Sequence, residues 1–142
     1  MIQTPKPFLA KIAAALLFAA LSLLPGAAAR ADEATPFYEL RTYYAADGKL
    51  EALHARFRDH TIGLFEKHGM KNLHYWVPEP NDEGKLVYLL AYPSREAREA
   101  SWKAFLADPE WIAAKEKSEL GGKLVAKVES VFLTPTDYSP AE

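Results

Sequence analysis

Phe37-Tyr38-Glu39-Leu40-Arg41-Thr42-Tyr43-Tyr44 is the stretch that decides the fold of this chain. Its aromatic and β-branched residues predict a β-strand. Successive strand side chains point to opposite faces, so Glu39, Arg41 and Tyr43 share one face. The other face carries Tyr38, Leu40, Thr42 and Tyr44. We expect this second set to pack against helices. The charged set then either lines an enclosed polar cavity or lies on a solvated face.

The first 31 residues have the three parts of a secretory signal peptide. Lys6 and Lys11 are the positive region, Ile12 to Leu24 the apolar stretch, and Ala29-Arg30-Ala31 the small-x-small end. The apolar stretch has 13 residues, fewer than the ~20 that a spanning helix needs. Cleavage is expected before Asp32, which predicts a periplasmic or secreted protein with no stable membrane anchor. A leader retained as an anchor is the alternative.

The composition of the remaining residues, 32–142, excludes several classes of protein. A chain of 111 residues is a single domain by length. The leader holds three of the 17 Lys and Arg residues, so 14 remain against 19 Asp and Glu, a formal net charge of −5. This sign argues against nucleic acid as a partner. The chain has no cysteine, which excludes disulfides and lipid attachment at cysteine.

Hydrophobic periodicity and turn residues predict the element order β-α-β-β-α-β, the ferredoxin-like arrangement of the α+β class. Gly69 is expected to end the first helix, and Ser94 and Asp108-Pro109 to begin later helices. We expect one four-stranded antiparallel sheet with the helices on one face and an extended tail from about residue 134. The predicted segments are strands at 37–44, 73–77, 85–92 and 123–133, and helices at 49–68, 95–106 and 109–120.

Nothing in this arrangement covers the second face of the sheet. By strand alternation, we expect that face to carry Glu39, Arg41, Tyr43, His74 and Trp76, with Lys127 and Glu129. A face that is half aromatic and half charged is unfavourable in water. A second copy of the chain would cover it by two-fold symmetry, so a homodimer is predicted.

Several short motifs resemble those of the NIPSNAP family, whose ferredoxin-like members pair into dimeric α/β barrels. The resemblance spans nearly all of the chain after the leader. It implies the fold and the dimer more firmly than any chemistry. The wider barrel superfamily includes haem-degrading monooxygenases, lactone isomerases and antibiotic-synthesis oxygenases. The motifs are Tyr38-Glu39-Leu40-Arg41-Thr42-Tyr43, Gly48 with Leu50, Leu64-Phe65-Glu66-Lys67-His68-Gly69, Tyr92-Pro93-Ser94-Arg95-Glu96-Ala97, Trp102 with Phe105, Asp108-Pro109-Glu110-Trp111, and residues 130–140.

Glu39 and Arg41 are the first candidates for a ligand site. Sealed in a barrel they would pair, because an unpaired buried charge costs several kcal/mol. The spare donors of Arg41 could then hold an anionic or carbonyl-bearing small organic ligand. The alternative is a polar lining that only satisfies itself, together with Lys127 and Glu129.

The histidines and aromatic residues supply weaker candidates. His74, Trp76 and Tyr43 are expected to line the cavity, and His60 lies at the edge of the apolar helix stripe. A histidine in a dry cavity could act as a general base. No metal-ligand spacing, nucleophile motif or nucleotide fingerprint occurs, so neither a metal nor a cofactor is predicted.

The sequence therefore leaves three functions open. The first is an exported homodimer that binds a small organic ligand or acts as an interaction module. The second is a cofactor-free monooxygenase or isomerase, in which His74 or Glu39 moves a proton and Arg41 stabilises negative charge. The third is a structural protein with a self-satisfied interior. No catalytic residue is assigned.

Overall fold

The computed structural model describes residues 36–140 of the 142 residues. The predicted signal peptide lies outside the described residues. Within them, no helix is long and apolar enough to cross a membrane. The elements are β1 (Phe37–Ala45), α1 (Leu50–Arg56), a π-helical turn (Phe57–Thr61), α2 (Ile62–Lys67), β2 (Lys71–Trp76), β3 (Lys85–Tyr92), α3 (Arg95–Ala107), α4 (Pro109–Ser118) and β4 (Val125–Leu133).

The four strands form one sheet in the order β2-β3-β1-β4, and every neighbouring pair is antiparallel. The predicted α+β, ferredoxin-like arrangement is therefore confirmed. In the register, Arg41 lies opposite Tyr88 of β3 and Ser130 of β4. The two central strands, β1 and β3, are hydrogen-bonded to a neighbour along both edges, and β2 and β4 are the edge strands of the sheet.

Local capping signals set the helix ends where the sequence predicts them. The Ser94 hydroxyl accepts a hydrogen bond from the Ala97 N–H at 3.1 Å, and the Asp108 carboxylate accepts one from the Glu110 N–H at 2.8 Å. Each satisfies an N–H that has no partner in the first helical turn. Gly69 follows α2 with φ of +78°, the left-handed conformation that glycine adopts without strain.

The first helix departs from its predicted form in one respect. A single helix was expected over residues 49–68, but the π-helical turn from Phe57 to Thr61 separates α1 from α2. The Thr61 hydroxyl donates to the Arg56 carbonyl at 3.2 Å, five residues back. This turn contains one more residue than an α-helical turn. As a result, the side chains of α2 are rotated about the helix axis.

The helices pack on one face of the sheet and enclose an aromatic core. Phe57 and Phe65 meet Tyr88 of β3 with ring centroids 5.2 and 6.1 Å apart. Phe65 also lies against Trp102 and Phe105 of α3, at 5.4 and 4.9 Å. We call the opposite side, which no described helix covers, the open face of the sheet.

The predicted assignment of the two faces of β1 is wrong. Glu39, Arg41 and Tyr43 point toward the helices, where Glu39 is fully buried. Tyr44 and the other alternate residues of β1 lie on the open face, since Tyr44 hydrogen-bonds Glu129 there. Alternation separates the two sets correctly but does not say which set meets the helices. The charged set is accommodated inside because α3 supplies donors that satisfy the buried carboxylate.

Candidate functional site

The structure divides the predicted site residues into two groups on opposite faces of the sheet. Glu39, Arg41 and Tyr43 form one group under the helices. The sequence predicts one cavity between two subunits that both groups line, but the two groups face opposite sides of the sheet. His60 joins neither group, because it is exposed on the π-helical turn. The group on the open face comprises His74, Trp76, Lys127 and Glu129, whose register partners are Leu89, Val87, Tyr44 and Thr42.

Glu39 is the centre of the first group. Its Oε1 accepts hydrogen bonds from Arg41 Nη1 at 2.6 Å, Arg98 Nη2 at 2.8 Å and Ser130 Oγ at 2.6 Å. Two guanidinium groups therefore share one carboxylate oxygen. Charge-assisted bonds of this kind are stronger than neutral ones.

The second oxygen of Glu39 is equally well satisfied. Oε2 accepts from Arg98 Nε at 2.9 Å, from the Tyr92 hydroxyl at 3.1 Å and from Trp102 Nε1 at 3.3 Å. Arg98 therefore binds both oxygens through its planar fork. A carboxylate with six donors around it is a fixed structural anion.

Arg41 lies between Glu39 and a group of aromatic side chains. Its Nε donates to the Tyr88 hydroxyl at 3.0 Å and its Nη2 to the Tyr43 hydroxyl at 3.5 Å. One face of the guanidinium lies on the Trp102 indole, with Cζ 4.2 Å from the ring centroid. Cation–π contact of this kind is favourable where water is partly excluded.

The surroundings of Glu39 determine its charge state. Burial alone would raise its pKa, but hydrogen bonds from Arg98 and Ser130 and the positive charge of Arg41 lower the pKa to about 2. Burial raises the pKa of Tyr88 well above its ordinary value. Glu39 is therefore ionised and Tyr88 neutral at physiological pH. A general base works best with a pKa near the operating pH, so Glu39 is unsuited to that role.

The second group lies on the open face and is much more loosely held. Lys127 Nζ is 2.5 Å from the Glu129 carboxylate, which also accepts a hydrogen bond from the Tyr44 hydroxyl at 2.9 Å. The rings of His74 and Trp76 lie 5.2 Å apart at the opposite edge. The aromatic pair and the Lys127–Glu129 ion pair are both exposed in the protomer.

Sequence reasoning missed four partners of Glu39: Arg98, Ser130, Tyr92 and Trp102. A signal was present for Arg98. It lies four residues before the buried Trp102, so both occupy one side of α3. An arginine on a buried helix stripe needs a carboxylate partner. The identity of that partner depends on packing between elements distant in the sequence.

The family follows from a comparison with family models. The NIPSNAP model matches residues 38–140, which include every strand and helix described above except for the first residue of β1. This chain belongs to the NIPSNAP family. The Glu39 cluster and the open face both lie within the matched region, so both are parts of a NIPSNAP domain.

Solved structures agree with this assignment. An uncharacterised NIPSNAP domain protein from Burkholderia xenovorans is 25% identical, with 74% of this chain and 99% of that chain covered and a TM-score of 0.64. A NIPSNAP protein of unknown function from Agrobacterium tumefaciens is 24% identical, with 75% and 94% covered and a TM-score of 0.66.

Similarity extends beyond the family only at the level of the fold. A candidate antibiotic biosynthesis monooxygenase from Bacteroides thetaiotaomicron is 18% identical, with 76% of this chain and 94% of that chain covered and a TM-score of 0.52. Identity at this level carries no information on activity. A search of the curated proteins finds no match.

Proposed function

We propose that this NIPSNAP protein is exported and acts as a homodimeric interaction module, in which two copies pack their open faces together. The observation that carries this proposal is the composition of that face. Its central strands present half-buried side chains such as Leu40, Val87 and Leu89. Its edges present Trp76, 47% exposed, and Val131, 53% exposed. Monomeric proteins rarely leave an apolar surface of this extent in water.

The second copy is favoured over other occupants by the charges at the edge of the face. Lys127 and Glu129 lie side by side on β4, so one strand presents both signs. Two-fold symmetry brings the same surface of each copy together, and a surface with both signs can then pair with itself. Closed two-fold dimers are also the commonest assemblies of soluble proteins.

A recess at one end of the open face adds a place for side chains of the partner copy. It has a volume of about 1020 Å³ and lies between the sheet and the C-terminal segment 134–140. Tyr38, Leu89 and Ala91 line its floor, and Lys71 is its one charged lining residue among the described residues. Insertion of apolar groups here would remove further surface from water.

The enzymatic alternatives have no comparable support. They require Glu39 or His74 to move a proton next to Arg41. His74 and Arg41 lie on opposite faces of the sheet, so they cannot act on one substrate. Glu39 is ionised and surrounded by six donors. The same geometry argues against a ligand held by Glu39 and Arg41 between two packed open faces.

Sedimentation of two matched variants tests the dimer. Val131 and Val128 are both on β4 and similarly exposed, at 53% and 43%, but Val131 lies on the open face and Val128 on the helix side. V131E should convert the dimer to a monomer, because it would bury a carboxylate in the interface. V128E should remain dimeric. A wild-type protein that sediments as a monomer at every concentration would contradict the proposal.

Export rests on the leader of residues 1–31, and it is tested separately. The intact mass of the protein recovered from the cell envelope or medium of an expressing bacterium should correspond to a chain that begins at Asp32. Recovery of the full-length chain from the cytoplasm alone would overturn this part of the proposal.

A further inference from the structure

We propose that the helix side of β4, next to Glu39, binds a small organic anion with a flat ring, such as an aromatic carboxylic acid. The floor of the site is the β4 strip, which we define as Val128, Ser130 and Phe132. The positive charge of the site comes from three residues, Arg41, Arg95 and Arg98, which we call the arginine cluster. The site is on the opposite side of the sheet from the proposed dimer interface, and it does not depend on dimerisation.

The first argument is an excess of positive charge. Arg41 and Arg98 meet at Glu39, the one carboxylate hydrogen-bonded to them in the described structure, and Arg95 lies nearby over the Phe132 ring. Arg95 makes no salt bridge within residues 36–140, and neither acidic side chain of α3 pairs with the cluster. Two partly buried guanidinium groups that share one carboxylate leave one positive charge, the exposed Arg95 beside Phe132 adds to it, and an anion would balance it.

The second argument is access. The side chains of Arg41 and Arg98 are 11% and 21% exposed, so solvent reaches the cluster although Glu39 is sealed. Among the described residues, no helix covers the β4 strip. Val128 and Phe132 are 43% and 40% exposed, whereas the residues on the same face of the neighbouring strands are mostly buried under the helices. An anion can therefore approach along the strip.

The third argument is the number of free donors. Arg41 Nη1 and Nη2 carry two N–H groups each, and within the described residues each atom makes a single hydrogen bond. Arg98 Nη1 makes none there, because Nε and Nη2 hold Glu39. Guanidinium N–H groups in one plane bind a carboxylate in a bidentate manner. Trp102 fixes the plane of Arg41 by covering one face.

The fourth argument concerns the ring of the ligand. Phe132 stacks on Phe37 with ring centroids 5.3 Å apart and an interplanar angle of 30°. Arg95 and Arg98 lie near the Phe132 ring, with Cζ 4.6 and 5.3 Å from its centroid. Phe132 and the neighbouring guanidinium groups form a flat platform at one end of the β4 strip, and Val128 lies ~13 Å along the strand at the other end. The ring of an aromatic acid would lie on Phe132 while its carboxylate meets the guanidinium groups.

Titration calorimetry with benzoate at low ionic strength tests the site, with benzamide as the neutral isostere. Benzoate should bind in the millimolar range and benzamide about tenfold more weakly, because the amide lacks the charge that the arginines recognise. V128E should weaken benzoate binding about tenfold or more, since its carboxylate would compete for the same guanidinium groups. V131E, on the open face, should bind benzoate as the wild type does.

The two valine variants separate this inference from the proposed function. Loss of the dimer in V131E with retained benzoate binding supports both. The site is overturned if benzoate fails to bind, if benzamide binds equally well, or if V128E binds benzoate like the wild type. Loss of benzoate binding in V131E would place the anion on the open face and also overturn it. None of these results changes the test of the dimer.

Discussion

Arg41 stacks on the indole ring of Trp102, with its Cζ 4.2 Å from the ring centroid, while the indole N–H points at Glu39 and Tyr92. Trp102 therefore contacts both members of a buried ion pair, one through its ring and the other through its N–H. It also lies against Phe65 of the core. Through this side chain, the polar cluster and the apolar core stabilise each other.

The two roles of Trp102 can be separated by substitution. W102F keeps a ring for Arg41 but removes the N–H, and we expect a loss of about 1–2 kcal/mol in the free energy of unfolding. W102L also removes the cation–π contact and leaves a cavity, and should lose about 3 kcal/mol or more. Urea unfolding at fixed protein concentration measures both. L120A, at an exposed position, is the control and should be neutral. Equal losses in the two variants would contradict a role for the ring.

The lowered pKa of Glu39 predicts a pH dependence of stability. The pKa is about 2 in the folded protein and 4.5 in the reference state. Stability from this group is therefore complete above about pH 4.5 and is lost as the pH falls toward 2, on the order of 3 kcal/mol in all. E39Q should be less stable at neutral pH and its stability should fall less between these values. E129Q should change the profile much less, because hydrogen bonds from Lys127 and Tyr44 also lower the pKa of Glu129 but an exposed ion pair contributes little to stability. Parallel profiles for E39Q and the wild type would disprove this assignment.

The sharing of Glu39 by two arginines predicts non-additive losses. R41M or R98M alone leaves one guanidinium on the carboxylate, so each should cost about 1–2 kcal/mol. The double variant leaves a buried carboxylate without a charged partner, and breaking a buried pair costs about 3–5 kcal/mol. We therefore expect the double loss at pH 7 to exceed the sum of the single losses. Strict additivity in urea unfolding would mean that the two arginines act independently.

Much of the fold was predictable because its signals are local. The alternating aromatic residues of β1, the caps Ser94 and Asp108, and Gly69 after α2 each act within a few residues. The NIPSNAP motifs were recognised from the same local runs, and the family model confirms them. The π-helical turn was missed, since nothing in a single helical stripe distinguishes it from an α-helical turn.

Only part of the candidate site was predictable from the sequence. The sequence predicts that Glu39 and Arg41 share one face of β1 and pair if they are buried, and the structure pairs them at 2.6 Å. Their location was not predicted, because strand alternation does not specify which face meets the helices, and charged side chains more often face solvent. Arg98, 59 residues away on α3, makes the buried position of Glu39 favourable. Such partners are set by packing and not by the neighbouring sequence.

The sequence by itself determined the order of the strands and helices, the starts of α3 and α4, the family, and the division of β1 into a charged and an uncharged set. Those properties follow from backbone preference and side-chain period, which act over a few residues. Only the tertiary structure decided which set faces α3, and so placed Glu39 and Arg41 away from His74 and Trp76. The physical reason is that a carboxylate is buried only where donors surround it, and most donors to Glu39 come from β3, α3 and β4.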